Sequence, residues 1–187
     1  MKHDSSSSPL TQLFVSTDEA SSAMDAAAVF SPSLSAVVAV EPQLLIALLD
    51  PVILFDGVCN FCNTWVDLLL RIDVNQRFKF APLQSDVGKR LLTAVGKEAD
   101  DISSVVLIIQ QPDDDLLKCY DKSACVLKVV EELGPVAWVA AATAERLVPR
   151  GLRDSIYDTV AENRYNLMGK RDECRCGDPK YFDRFLS

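Results

Sequence analysis

The chain has 187 residues, 49% of them hydrophobic, which is enough for one domain whose core needs no disulfide staples. A formal net charge of -8 argues against a nucleic-acid partner, because proteins that bind phosphate backbones present basic surfaces. The only histidine, His3, lies in the N-terminal tail, which excludes Ser-His catalysis, Cys-His catalysis and a His-ligated metal from the folded part.

Residues 1–50 form a Ser-rich acidic segment. It has six acidic residues against one basic residue, Lys2, and ten serines within the first 35 positions. Such a composition buries too little apolar surface to offset the entropy of ordering. Organelle transit peptides are also Ser-rich, but they are rich in arginine and poor in acids. We therefore predict a disordered tail or a targeting segment over 1–50, in an intracellular protein of the cytoplasm, a chloroplast or a mitochondrion.

A membrane partner is not expected. The most apolar early run, 33–49, is interrupted by Glu41 and Pro42 and falls short of the roughly 20 apolar residues that a spanning helix needs. The sequence therefore predicts a soluble protein.

The folded domain is predicted to begin at Pro51 and to occupy 51–187. Residues 52–55 are a short apolar run closed by Asp56-Gly57, which is typical of a buried strand that enters a turn. Apolar residues then recur at spacings of three and four, which predicts a helix over 59–71.

The remaining elements follow from the same periodicities. They are a strand over 77–83, a helix from Val87 to Gly96, an antiparallel hairpin of 105–109 and 116–120, and helices over 123–133, 136–147 and 151–168. The strand-helix-strand-helix order implies a parallel pair of strands, and the hairpin adds two more. The predicted fold class is α/β: a thioredoxin-like mixed four-stranded sheet flanked by helices, with a C-terminal helical extension.

Cys59 and Cys62 form a CxxC pair at the start of the first predicted helix. Cys59 would lie near unpaired N-H groups and the positive end of the helix dipole, which favour the reactive thiolate. Cys62, on the same face of the helix, would lie within reach of a disulfide. The predicted cycle is attack by Cys59 on a substrate disulfide, followed by displacement by Cys62. Because first-turn positions are rarely deep in a core, we prefer this redox role to two inert buried thiols.

Asp56 precedes Cys59 by three residues, at the end of the predicted strand. A partly buried carboxylate there could accept the proton that Cys62 must lose, so Asp56 is predicted as a third catalytic residue. The alternative is an aspartate that only forms the turn before Gly57.

The run FDGVCNFCN, in which Asp56, Cys59 and Cys62 spell DxxCxxC, resembles the DCC family of thiol-disulfide oxidoreductases. The segments FKFAPLQSDVGKRLL, RLVPRGLRDSIYDTVAENRY and GKRDEC also look like features of that family, so the resemblance extends over 52–185. It implies a thioredoxin-like fold and dithiol/disulfide exchange, without a defined substrate. We expect no cofactor, a disulfide- or dithiol-containing substrate that is a protein in preference to a small molecule, and an upstream thiol reductant.

One departure from thioredoxins bears on this interpretation. Thioredoxins carry a cis-proline that faces the CxxC pair, shapes the peptide-binding surface and keeps metals off the cysteines. At the corresponding place this chain reads Ile102-Ser103-Ser104-Val105. Metal or cluster binding is therefore an alternative to ordinary exchange.

Four further cysteines need a role. Cys174 and Cys176 form a CxC beside arginines, which favour the thiolate. They could relay electrons to the CxxC pair, join it as the four ligands of zinc or an iron-sulfur cluster, or lie in a tail without a partner. A non-enzymatic redox-sensing binding module is a further alternative, in which the disulfide forms without turnover. Cys119 and Cys125 are predicted as core thiols.

Overall fold

The computed structural model describes residues 28–30, 49–110, 117–172 and 179–186. Its strands are β1 (Ala28–Phe30), β2 (Val52–Phe55), β3 (Lys79–Pro82), β4 (Val106–Gln110) and β5 (Leu117–Asp121). Its helices are α1 (Asn60–Ile72), α2 (Asp86–Ala94), α3 (Lys122–Glu132), α4 (Pro135–Leu147) and α5 (Arg150–Met168), followed by a 3-10 helix at Pro179–Arg184. Every predicted element is present, and the ends differ from the predicted ones by two residues or fewer.

The strands form one mixed sheet in the order β1-β5-β4-β2-β3. β2 and β3 are parallel, whereas β4 runs antiparallel to both β2 and β5. The predicted fold class is therefore confirmed: a thioredoxin-like α/β arrangement of four strands flanked by helices. In addition β1, for which the sequence predicted no element, pairs antiparallel with β5 at the edge. The domain boundary at residue 51 stays a prediction.

The central strand β2 is buried on both faces, which explains its uninterrupted apolar sequence. Val52 and Leu54 pack into the cluster beneath α2, whereas Ile53 and Phe55 pack into the cluster beneath α1 and α3. The chain therefore leaves the interior at the carboxyl end of β2, directly before the CxxC pair.

The C-terminal extension is more than an appended cap. Helix α5 contacts both α1 and α3, so it crosses the end of the sheet at which β2 stops. The 3-10 helix is held by a buried ion pair, in which Arg184 Nη2 lies 2.5 Å from Asp73 Oδ2. Among the described helices none has the length and apolar character that crossing a membrane requires.

Candidate functional site

Cys59 is the N-cap of α1, as its place in the sequence predicted. Its backbone is extended, with φ -82° and ψ 118°, and its Sγ accepts the N-H of Cys62 at 3.4 Å. Asn63 fixes the turn, because its Nδ2 donates to the carbonyl oxygens of Gly57 and Cys59, each at 2.8 Å. The two cysteines therefore lie next to each other at the positive end of the helix. The described cysteines are all free thiols.

Cys59 is fully buried, with 0% of its surface exposed, whereas Cys62 is half-buried. The expectation that a first-turn cysteine would not lie in the core is therefore wrong for Cys59. A segment that follows α5, here called the strap, lies against Cys59 and consists of Gly169, Lys170 and Arg171. Lys170 forms an antiparallel bridge with Cys59.

The strap is tied to the start of α1 by main-chain and side-chain hydrogen bonds. Asn60 N donates to Gly169 O at 3.3 Å, and Arg171 N donates to Val58 O at 2.8 Å. The side chain of Asn60 donates to Met168 O at 2.8 Å and accepts from Arg171 Nε at 2.6 Å. Gly169 has φ +77°, a conformation that glycine adopts without strain. No feature of the sequence indicated these contacts.

The surroundings of Cys62 disfavour its thiolate. Burial raises the pKa of Cys62 to about 12, and the hydrogen bond with Cys59 and the negative charges of Cys59 and Asp56 act in the same direction. The guanidinium of Arg164 opposes them by lowering that pKa. At neutral pH Cys62 is therefore a thiol.

Asp56 is buried, and four donors surround its carboxylate. Oδ1 accepts from Gln84 Nε2 at 2.7 Å and from Val58 N at 3.2 Å. Oδ2 accepts from Arg164 Nη2 at 3.2 Å and from the hydroxyl of Tyr165. The bond to Val58 is the turn-forming contact that was the alternative reading of Asp56. The other three hydrogen bonds connect the carboxylate to the loop that follows β3 and to α5.

Arg164 connects this carboxylate to the loop before β4. Its Nη2 donates to Ile102 O at 2.9 Å and its Nη1 to Ser103 O at 3.3 Å. Its buried Nε has no acceptor among the described residues. The sequence predicts no role for Arg164 or Tyr165, because both lie more than 100 residues from Asp56.

A cleft of about 50 Å³ opens beside Cys62. Arg164, Tyr157 and Val160 form its α5 wall, and Phe61 and Val105 are among the residues opposite. The hydroxyl of Tyr157 accepts the N-H of Val105 at 2.9 Å, so α5 is tied to the loop here as well.

The other cysteines divide into two groups. Cys119 and Cys125 are buried in the core, as predicted. Burial raises the pKa of Cys119 to about 11 and that of Cys125 well above its usual range. Cys174 and Cys176 lie outside the described residues. Within the described ranges no cluster of three or more His, Cys, Asp or Glu side chains could hold a metal ion.

Comparison with known proteins adds an independent observation. A family model described as DCC1-like thiol-disulfide oxidoreductase matches residues 53–170. A DCC family protein of Arabidopsis thaliana, described as chloroplastic, is 40% identical over 124 residues, which cover 66% of this chain and 68% of that protein. The uncharacterized protein YuxK of Bacillus subtilis is 38% identical over 136 residues, which cover 72% of this chain and 93% of that protein. No solved structure is significantly similar to the chain.

Proposed function

Because this chain belongs to the DCC1-like thiol-disulfide oxidoreductase family, we propose that it catalyses thiol-disulfide exchange through Cys59 and Cys62. The observation that carries the proposal is the contact between the two at the start of α1, where Cys59 Sγ accepts the N-H of Cys62. Cys59 Sγ thus faces a main-chain donor at the positive end of the helix, the position predicted for the attacking sulfur.

Cys59 is the attacking group in this proposal. Its thiolate attacks one sulfur of the substrate disulfide, a mixed disulfide forms, and the first substrate thiolate leaves and takes up a proton. Cys62 then loses its proton and attacks Cys59 Sγ, which displaces the second thiolate. The substrate gains two electrons, the pair becomes a disulfide, and an external thiol reductant restores it. Since the strap covers Cys59, it moves aside for the first step.

For Asp56 we propose the role of proton acceptor from Cys62. The carboxylate lies in the wall of the same cleft as Cys62, which supports this role. Arg164 and Tyr165 both donate to Oδ2, so one of these two hydrogen bonds must break when Oδ2 takes up the proton from Cys62.

The test is the reduction of two disulfides, glutathione disulfide and insulin, by wild type, Cys59→Ser and Cys62→Ser. We expect Cys59→Ser to lose turnover and Cys62→Ser to accumulate the mixed disulfide on Cys59, with Cys119→Ala as a control that keeps turnover. A disulfide that forms without turnover of either substrate would instead support the redox-sensing binding module.

The Arabidopsis thaliana relative is described as chloroplastic, and we propose that this chain is also located in an organelle. Residues 1–50 fused to a fluorescent reporter test this directly. Cytoplasmic fluorescence alone would contradict it.

A further inference from the structure

The C-terminal extension restricts access to the CxxC pair from two sides. Cys59 is 0% exposed, and Lys170 of the strap forms a main-chain bridge with it. Helix α5 places Tyr157 and Arg164 beside Cys62, in the wall of the cleft. A substrate therefore approaches the pair through a narrow gap and not across an open surface.

The loop at 102–105, next to Cys62, offers few free main-chain groups to a polypeptide. The carbonyl oxygens of Ile102 and Ser103 accept from Arg164, and the N-H of Val105 donates to Tyr157. A peptide that docks in extended form binds through such main-chain groups. To free the two carbonyl oxygens, Arg164 would also have to leave the buried carboxylate of Asp56. This movement is costly, because a buried charge would lose its partner.

The cleft fits a small group. A volume of about 50 Å³ holds roughly four water-sized groups, since one such group needs about 10–15 Å³. A disulfide with its two flanking methylene carbons has four heavy atoms. Arg164 lines the cleft, and its buried Nε-H has no acceptor among the described residues.

We propose that the substrates of this site are low-molecular-mass disulfides and not the disulfides of folded proteins, because α5 and the loop at 102–105, which are bonded to each other beside Cys62, admit only a slender molecule. The inference rests on the proposed exchange at Cys59 and Cys62. One disulfide R-S-S-R is reduced to two R-SH molecules, and the two electrons come from the dithiol of the pair, which becomes a disulfide.

The experiment follows the oxidation of the reduced full chain in a single turnover. The second-order rate constant is measured with glutathione disulfide and with insulin, and each is divided by the rate constant of dithiothreitol with the same disulfide. We expect the normalised value for glutathione disulfide to be at least tenfold that for insulin. An equal or higher value for insulin overturns the inference and leaves the proposed function standing. If neither disulfide oxidises the pair, the proposed function fails as well.

A conservative variant tests the part assigned to α5. Tyr157→Phe keeps the ring but removes the acceptor of the Val105 N-H, so the preference for glutathione disulfide over insulin should fall at least threefold. Tyr181→Phe, in the 3-10 helix, is the matched control and should leave the preference unchanged. An unchanged preference in Tyr157→Phe would refute the role of this contact in excluding peptides.

Discussion

Replacing Asn60 by alanine is expected to expose Cys59 without disturbing the core. The side chain of Asn60 makes two of the contacts that hold the strap, one to Met168 O at 2.8 Å and one from Arg171 Nε at 2.6 Å. The main-chain bonds of Asn60 to Gly169 and of Arg171 to Val58 do not depend on the side chain and remain. The variant should therefore loosen the strap rather than release it.

The size of the effect follows from these two bonds. Both are exposed to solvent, so each contributes about 0.5–1 kcal/mol to the closed state. Their loss costs about 1–2 kcal/mol, which raises the population of the open state about 5- to 30-fold, since 1.4 kcal/mol is a factor of ten. When opening and closing are fast, the rate of modification of a covered group scales with that population.

The assay is labelling of the reduced protein with iodoacetamide, followed by peptide mass spectrometry. Cys59 should be labelled about 5- to 30-fold faster in Asn60→Ala than in wild type, whereas Cys62, which the strap does not cover, should keep its rate. Thr64→Ala, an exposed position on the same helix, is the control and should change neither rate. Equal labelling of Cys59 in Asn60→Ala and wild type would show that the strap does not limit access to this sulfur.

Three further predictions concern stability, each measured by urea denaturation. Gly88→Ala should destabilise the protein by about 3 kcal/mol or more, because a Cβ there would lie 2.1 Å from Pro82 O, whereas Gly151→Ala, with open space around it, should stay within about 1 kcal/mol of wild type. Arg184→Met should cost about 3–5 kcal/mol by leaving Asp73 buried and unpaired, whereas Arg77→Met, which breaks a half-exposed pair with Glu132, should cost about 1 kcal/mol or less. Burial raises the pKa of Cys125, so its thiol stays protonated in the folded state, whereas the thiol of the unfolded chain ionises near about pH 8.5. The free energy of unfolding should therefore fall as the pH rises above about 8.5. It should fall less in Cys125→Val, which has no thiol to ionise.

The elements of the fold could be predicted because each has a local cause. The apolar run of β2, the helical spacing of α1 and the hairpin of β4 and β5 are patterns within a few residues of each other. The position of Cys59 at a helix start follows from the same patterns. Cys119 and Cys125 could be assigned to the core because their neighbours are apolar at the expected period.

The contacts that complete the site could not be predicted, because they join residues far apart in the sequence. Arg164 and Tyr165 reach Asp56 over 108 and 109 residues. The strap reaches the start of α1 over a similar distance, and its few residues carry no periodic pattern. Helical spacing indicates that α5 has an apolar face but not which element that face packs against. The burial of Cys59 was missed for the same reason.

These long-range contacts make the C-terminal extension part of the site. Burial, Cys59 and the negative charge of Asp56 raise the pKa of Cys62, whereas the positive charge of Arg164, which comes from α5, lowers it. Without α5, Asp56 would lose both donors to its Oδ2, and Cys62 would lose the guanidinium of Arg164, which lowers its pKa. The family match agrees with this dependence, since it does not stop after the sheet and its helices but continues through α5 to Lys170, the residue that bridges Cys59. The sheet, α5 and the strap therefore form one structural unit around the CxxC pair.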